Sequence, residues 1–480
     1  MKKTKIICTI GPSCENEDVI EEMVKAGMDT ARMNFSHSTY EEHKARIDTV
    51  KKIRKRLNLP IGIMLDTKGP EIRLGTFEKG HIELLPEQHF TLTTDNIVGN
   101  EAKAFVTYKE ITKYIKKDDK ILINDGLIEL KAEKVTDNDI YCSVIHGGRL
   151  SDRKSINLPC SHIDMPYISE TDKKDILFGI ENDIDYIAAS FVRCKEDVED
   201  IRRLLIEKGK PNIKIIAKIE NAEGVKNADE IILAADGIMI ARGDMGVEIP
   251  YEKLPSIQKD LIKKCVSSGK ISVTATQMLE SMITNPRPTR AEVNDIANAI
   301  YDGTSAIMLS GETAAGKFPV QSVITMEKIA EYTENTSHTL NQSNLSAIKS
   351  LTVTDAICHA VCTCAADLEA KCIVAVTKSG HTARMVAKFR PHCPIIAPTI
   401  DEDIYYKLSL VWGVIPVVNG EKSTSKELYD SAVEKAMETI SLSKNDLIVL
   451  TGSSSVNLPK TTNMIKVHRI NHTKSEGHHI

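Results

Sequence analysis

Lys218-Ile219-Glu220 follows directly on the apolar run Ile215-Ile216-Ala217, and Arg242-Gly243-Asp244 follows in the same way on Gly237 to Ala241. Side chains two residues apart on a strand lie on one face. The Lys218 ammonium and the Glu220 carboxylate therefore project together, beside Asp244 from the next strand. Two such carboxylates make a hard oxygen-donor site of the kind Mg²⁺ (or Mn²⁺) accepts, with positions left open for substrate oxygens. A Lys/Glu surface pair with a helix-capping Asp would give one such cluster without function; two clusters at successive strand ends argue against it.

Strands buried on both faces read as continuous apolar runs. Eight fit that description: Lys5 to Ile10, Thr30 to Phe35, Ile61 to Asp66, Tyr186 to Phe191, Lys214 to Ile219, Gly237 to Ala241, Ile271 to Thr276 and Ala306 to Leu309. Between them, segments such as Tyr40 to Leu57 and Tyr251 to Ser268 carry apolar residues at helical spacing. Eight βα units predict a closed (β/α)8 TIM barrel, whose chemistry sits at the carboxyl ends of the strands. The rhythm breaks after Asp66, where about a hundred residues, too many for an ordinary βα loop, carry short β-rich segments and turn signals. These predict a small β-barrel domain inserted as a lid. After a polar linker at 335–350 a new alternation begins, predicting a C-terminal α/β domain on an open, mostly parallel sheet, with 472–480 as a mobile tail. The expected division is 1–70 with 166–336 for the barrel, 71–165 for the lid and 337–480 for the C-terminal α/β domain.

The chain has 480 residues, 41% hydrophobic and 27% charged, with net charge −5, which is an ordinary globular composition with no basic face for nucleic acid or anionic membrane. No apolar stretch reaches the roughly 20 residues needed to span a bilayer, and the first residues lack a signal peptide's pattern. A cytoplasmic location is expected. The 11 cysteines read as reduced thiols used as small apolar residues; Cys358, Cys362 and Cys364 lie in a helical pattern without a second ligand cluster.

The remaining strand ends extend the inventory. The second ends in Arg32-Met33-Asn34-Phe35-Ser36-His37, the third in Asp66-Thr67-Lys68-Gly69-Pro70-Glu71-Ile72-Arg73, the seventh at Thr276-Gln277 and the eighth at Ser310-Gly311-Glu312-Thr313. Cations, metal-binding carboxylates and hydroxyls of this kind clamp phosphate and stabilise moving negative charge. No Ser/His or Cys/His pair for nucleophilic catalysis is evident. No P-loop is present, so a nucleotide would be held through metal and basic residues.

The motifs MNFSH (33–37), LDTKGPEIR (65–73), AKIEN (217–221), ARGDMGVEIP (241–250), TATQMLESM (274–282) and the long run PTRAEVNDIANAIYDGTSAIMLSGETAAGKFP (288–319) stand in one collinear order. Together they resemble pyruvate kinases of the bacterial type without an extra C-terminal phosphohistidine-like domain. The resemblance implies phosphoryl transfer from phosphoenolpyruvate to ADP, giving pyruvate and ATP, the last step of glycolysis. It also implies Mg²⁺ and K⁺ as cofactors and a homotetramer. Residue by residue, Glu220 and Asp244 match Mg²⁺ ligands, and Asn34, Ser36, Asp66 and Thr67 match K⁺ ligands. Lys218 matches the lysine stabilising the transferring phosphoryl group, while Arg32 and Arg73 match phosphate contacts. Ala241, Gly243 and Asp244 match the segment that holds the substrate carboxylate. Thr276, with Ser310 close by, corresponds to the face where enolpyruvate is protonated, and Asn34, His37, Arg73 and Lys154 are the nucleotide-side candidates.

The lid departs from the family pattern at Leu150 to Cys160, where Asp152 and Cys160 replace expected residues. Glu71 resembles the K⁺-dependent branch of the family, whereas members independent of K⁺ carry Lys at this position. The loop Thr377-Lys378-Ser379-Gly380-His381-Thr382 matches the family's site for a phosphorylated effector. The loop Thr451 to Asn457 lacks the Trp and Arg of members that respond to fructose bisphosphate, so a monophosphate such as AMP or a sugar monophosphate is the expected effector. Two other readings stay open at this level: a metal-dependent lyase or aldolase on the same barrel, and an inactive phosphate-ligand sensor.

Overall fold

The computed structural model describes residues 1–159, 163, 165–336, 352–454 and 461–471. Eight parallel strands close into a barrel: Lys5–Thr9, Thr30–Asn34, Gly62–Asp66, Tyr186–Ala189, Lys214–Ile219, Gly237–Ala241, Ile271–Ala275 and Ala306–Leu309. All eight expected strands are present. Four end short of the expected residue, the first two by one position; at the fourth and seventh the chain turns sharply, with φ +55° at Phe191 and φ +67° and +55° at Thr276 and Gln277. Left-handed backbone is unfavourable for a β-branched residue such as Thr276.

Alternation along each strand sorts the apolar residues into two cores. Ile215, Ala217 and Ile219 pack outward against the helices, as do Ile63, Leu65, Ile238 and Ile240. Ile216, Met64, Met239, Tyr186 and Ala188 point into the barrel. By the same parity Lys218 and Glu220 continue the inward face of Ile216, and Asp66 continues that of Met64. The surrounding helices begin with local signals that the sequence supplies. Tyr40–Leu57 opens on a reciprocal capping box between Thr39 and Glu42 and closes on Asn58 in the left-handed conformation, a cap worth about 1 kcal/mol.

After Asp66 the chain builds a seven-stranded sheet, in which Ser155–Asn157 pairs Ile72–Arg73 and Lys103–Phe105 lies at the far edge. A bridge between Leu74 and Val106 joins its two edges, around a separate core that includes Phe90, Leu92, Ile121 and Leu130. The C-terminal sheet runs Val414–Val418, Ile395–Thr399, Cys372–Ala375, Leu447–Gly452 and Met464–Arg469. Its first four strands are parallel and the last is antiparallel. Of the linker expected at 335–350, the first two residues belong instead to the helix Pro319–Thr336; its remainder, the tail at 472–480 with its paired histidines, Cys160, and 455–457 of the late loop lie outside the described residues.

The C-terminal domain closes the barrel's amino-terminal end. Tyr186 Oη donates to Lys407 O at 2.8 Å, Thr30 and Ser409 share a hydroxyl hydrogen bond at 3.1 Å, and Lys5 Nζ donates to Val414 O at 2.9 Å. Gly62 permits this approach, since a Cβ there would lie 2.4 Å from Ser409 Oγ. One apolar core accordingly runs from Ile7, Met64 and Met308 inside the barrel to Cys358, Phe389, Leu410 and Val449 of the C-terminal domain.

Candidate active site

Lys218 is the centre of a buried polar cluster at the carboxyl ends of the strands. Its Nζ lies 2.9 Å from Glu220 Oε1 and 3.2 Å from Asp66 Oδ1, and donates to Ser190 Oγ at 2.8 Å. Burial opposes the ammonium charge, but Asp66 and Glu220 outweigh it and hold the Lys218 pKa well above that of an ordinary lysine. Asp66 also receives Arg32 Nε at 2.6 Å, while Arg32 Nη1 donates to Thr9 Oγ1 at 2.8 Å. Burial disfavours the Asp66 charge, yet these two cations hold its pKa below the usual carboxylate value.

Glu220 is 2% exposed. Its Oε2 accepts from Phe191 N–H at 2.6 Å, a bond that the left-handed turn at Phe191 presents to it. Burial pushes its pKa to about 7, against the pull of Lys218 and with a further push from Asp244. A buried carboxylate, Glu220, with a second, Asp244, near it is a donor set suited to a hard divalent cation, so the pair fits Mg²⁺. Among the described residues no group of three or more His, Cys, Asp or Glu gathers as a metal site. The two-carboxylate set thus leaves coordination positions open. Asn34 and Asp66 are register partners on neighbouring strands, and Asn34 Oδ1 accepts from Ser36 N–H at 3.2 Å. Thr67, next in the chain, has its Oγ1 and carbonyl oxygen bound by Ser190; the oxygen donors of Asn34, Ser36, Asp66 and Thr67 are of the type a K⁺ ion takes.

Ser190 was not among the sequence candidates. It is buried, its Oγ donates to Thr67 O at 2.7 Å, and its N–H donates to Thr67 Oγ1 at 3.1 Å. The signal available was parity alone: Tyr186, Ala188 and Ser190 share the inward face. Two residues of the strand-end clusters, given no role of their own in the sequence, acquire one here. Arg242 Nη2 and Nε hold the carbonyls of Thr276 at 2.6 Å and Ala275 at 3.2 Å, and Arg242 pairs with Asp295 at 2.7 Å, clamping the strained turn. Glu312, also buried, accepts from Leu279 N–H at 3.0 Å and Ser310 N–H at 2.7 Å, tying the seventh and eighth strand ends together.

Thr276 and Gly243 meet directly, with Gly243 N–H donating to Thr276 Oγ1 at 2.9 Å. Ala241 caps the helix Arg242–Glu248 that carries Asp244. Ser36 and His37 are exposed in the turn after the second strand. Arg73 belongs to the inserted sheet, where it is held by Glu71 at 2.5 Å and donates to Arg153 O at 3.0 Å. Lys154 is half-buried beside it, and Asp152 Oδ1 accepts from Phe77 N–H at 2.8 Å, which gives this unusual lid residue a local structural task. A cleft between lid and barrel is lined by Glu71, Asn157, Arg193, Asp244, Val247 and Glu248, among others. Asn157 Nδ2 reaches Glu248 Oε1 across it at 3.4 Å.

The loop Thr377 to Thr382 lies apart from this cluster, on the C-terminal sheet. Thr377 and Thr382 are buried, Lys378 is exposed, and Ser379 and His381 are half-buried. Thr382 and Thr462 share a hydrogen bond at 2.9 Å, and Gly380 turns the chain at φ +75° into the helix His381–Lys388.

Residues 1–323 match the family model described as pyruvate kinase, barrel domain, and residues 355–468 the one described as pyruvate kinase, alpha/beta domain. A pyruvate kinase of Clostridium acetobutylicum is 47% identical over 97% of this chain and 99% of its own length. One of Staphylococcus haemolyticus is 46% identical over 99% of this chain and 82% of its own length. The crystal structure of a pyruvate kinase from Cryptosporidium parvum superposes with a TM-score of 0.92 at 38% identity, covering 98% of this chain and 96% of that one. The chain is a member of the pyruvate kinase family of phosphotransferases.

Proposed function

We propose that the chain transfers the phosphoryl group of phosphoenolpyruvate to ADP with Mg²⁺ (or Mn²⁺) and K⁺ as cofactors, in the cytoplasm as the closing step of glycolysis. The observation that carries this reading is the buried Lys218 side chain, held between Asp66, Glu220 and Ser190. The barrel of 1–70 with 166–336 supplies this site, the 71–165 insert acts as its lid, and 337–480 regulates it within a homotetramer.

In the reaction the bond from phosphorus to the enol oxygen breaks as one forms to a β-phosphate oxygen of ADP; the enolate carbon then takes a proton to give pyruvate. Charge on the phosphoryl oxygens and on the departing enolate falls beside Lys218, whose orientation is fixed before substrate arrives, so little reorganisation is needed. Glu220 and Asp244 would hold Mg²⁺, and Asn34, Ser36, Asp66 and Thr67 would hold K⁺; when bound, these cations would neutralise phosphate charge. Arg32, kept straight by Asp66 and Thr9, and Arg73 on the lid contact phosphate. Asn34, His37 and Lys154 serve the nucleotide. Thr276 Oγ1, beside the Gly243 amide, positions the carboxylate segment Ala241 to Asp244 and faces the carbon that is protonated, with Ser310 nearby. A phosphorylated monophosphate effector binds Thr377, Lys378, Ser379, Gly380, His381 and Thr382. A coupled assay with phosphoenolpyruvate and ADP, in wild type and Lys218→Met, tests the reading; absence of turnover in the wild type overturns it.

A further inference from the structure

Below the barrel floor, where it meets the C-terminal domain, a second cavity is lined by Lys270 and Ser305 from the barrel side and by Arg384, Lys388, Arg390 and Trp412 from the other. Four cations and no carboxylate line it. Lys388 is matched by Asp355 at 2.7 Å. The other three have only neutral partners. Lys270 Nζ donates to Ala235 O at 2.5 Å and Leu233 O at 3.1 Å, and Arg384 Nη1 donates to Ser379 O at 3.3 Å. Arg390 Nη2 donates to Gly303 O at 2.8 Å and Ser305 Oγ at 3.2 Å.

Arg390 is 8% exposed, its guanidinium lies 4.7 Å over the Trp412 ring, and its Nε is buried without an acceptor. The nearest acids are engaged elsewhere: Asp236 with Lys214 and Arg202, and Glu334 with the amides of Lys3 and Thr4. Burial lowers the pKa of Lys270 and Arg384 and pushes that of Arg390 down to about 9. Arg390 is buried, and Lys270 and Arg384 are half-buried beside it; a cation taken out of water is costly unless an anion answers it, and among the described residues no carboxylate reaches these three within ion-pair distance.

We propose that this interdomain cavity binds a small oxyanion, a phosphoryl group free or at the end of an ester, clamped by Arg384 and Arg390 from the C-terminal domain and Lys270 from the barrel. Arginine's fixed fork suits tetrahedral oxyanions, and a charge-assisted contact from each side would tie the two domains together. The cavity, about 20 Å³ as it stands, takes little more than one water-sized atom. Entry of the ion therefore moves a flexible side chain, Lys270 or Arg384, aside. Because Arg384 also holds Ser379 O, the ion bears directly on the loop at 377–382 without occupying it.

Soaking crystals of the full chain in tungstate, and collecting at the tungsten edge, locates the oxyanion and separates this cavity from the strand-end cluster and the 377–382 loop. Anomalous density between Arg384 and Arg390 is the expected result; density only at the other two places overturns the proposal, as does an adventitious ion only, on exposed surface lysines. In solution, calorimetric titration with inorganic phosphate is made in a Ser379→Asp background, which removes the loop as a binding place, and with Lys218→Met added to weaken the strand-end cluster. A Lys270→Gln/Arg384→Gln pair in that background should lose at least about tenfold in phosphate affinity, the order of one charge-assisted contact. Unchanged affinity refutes the site. The double variant spares Arg390, so its folding is checked by the retained thermal transition; should it fail to fold, Lys270→Gln alone carries the same expectation. A parallel titration with ribose 5-phosphate distinguishes the sources: binding by both means a phosphoryl end is admitted, and binding by phosphate alone restricts the cavity to the free ion.

Discussion

Ser190 Oγ accepts a hydrogen bond from Lys218 Nζ at 2.8 Å while donating its own proton to Thr67 O at 2.7 Å. A hydroxyl has one proton to give and lone pairs to receive, so with that proton committed to a main-chain carbonyl, its lone pairs face the ammonium. Ser190 thereby joins the lysine to the Asp66-Thr67 strand end. It is a positioning residue, acting through Lys218.

Ser190→Ala should lower kcat by about tenfold, the worth of one charge-assisted hydrogen bond, with the KM for ADP unaffected. Steady-state kinetics decide it. A kcat equal to wild type would mean that Asp66 and Glu220 alone orient the lysine.

Lys218→Met should reduce turnover by more than about a hundredfold, as removal of one preorganised charge stabiliser does. The variant keeps Glu220 and Asp244, so Mn²⁺ binding, followed by the loss of the free ion's paramagnetic resonance, should persist. It also leaves the Asp66 and Glu220 carboxylates without their shared cation, so the thermal midpoint should fall, consistent with a cost of about 3 kcal/mol for breaking a buried pair. Near-normal turnover removes Lys218 from its assigned role.

Activity should depend on K⁺, and Glu71→Lys should weaken the dependence, because a fixed ammonium can stand in for a mobile cation. Glu71 holds Arg73 at 2.5 Å, so the substitution also frees that guanidinium, and a raised KM for ADP is expected alongside. Rates measured in buffers whose only cation is tetramethylammonium test the first point; full wild-type activity there excludes the requirement.

At the loop Thr377 to Thr382, Ser379→Asp should abolish activation by a nucleoside or sugar monophosphate, since a carboxylate repels phosphate. The comparison is of phosphoenolpyruvate saturation curves with and without AMP or glucose 6-phosphate. Equal activation of both proteins places the effector elsewhere.

Burial raises the pKa of the Cys14 thiol to about 11 and those of Cys142 and Cys265 to about 12, from an ordinary 9.0. In the native protein these groups keep their protons where the unfolded chain releases them. The folded state therefore binds more protons above pH 9, and their contribution to stability is intact below that pH and declines as pH rises toward 11 and 12. Urea midpoints between pH 8 and pH 10.5 should fall. The same thiols should react with a disulfide reagent at pH 8 only after unfolding; rapid labelling of Cys265 in the native state contradicts its burial.

The eight strands were legible because each is a short, continuous apolar run, and the barrel followed from their number. Lys218 with Glu220 was legible because strand parity places i and i+2 together. Ser190 was not, since a single serine after Ala188-Ala189 carries no pattern until the closed sheet sets it against Thr67 and Lys218. Arg242 and Glu312 stood in the strand-end clusters, but their roles were hidden for a related reason: apart from the Arg242–Asp295 pair, they act on main-chain groups of Ala275, Thr276, Leu279 and Ser310, and backbone acceptors and donors leave no mark on a sequence. The left-handed turns at Phe191 and Thr276 were equally hidden, because neither residue favours that conformation and only the surrounding contacts impose it.

The meeting of Tyr186 and Thr30 with the segment Lys407–Ser409 gives the barrel no base of its own. Ile7, Met64 and Met308 are covered from beneath by residues that follow Ala306–Leu309, the last barrel strand, in the chain, from Cys358 onward. During synthesis the barrel strands are all made before their lower surface can be sealed. The early portion thus waits, with apolar residues open to water, for the ribosome to finish. Such a chain gains its final stability in one late step, and a fragment ending at Thr336 would be a candidate for chaperone capture or aggregation rather than a smaller working enzyme.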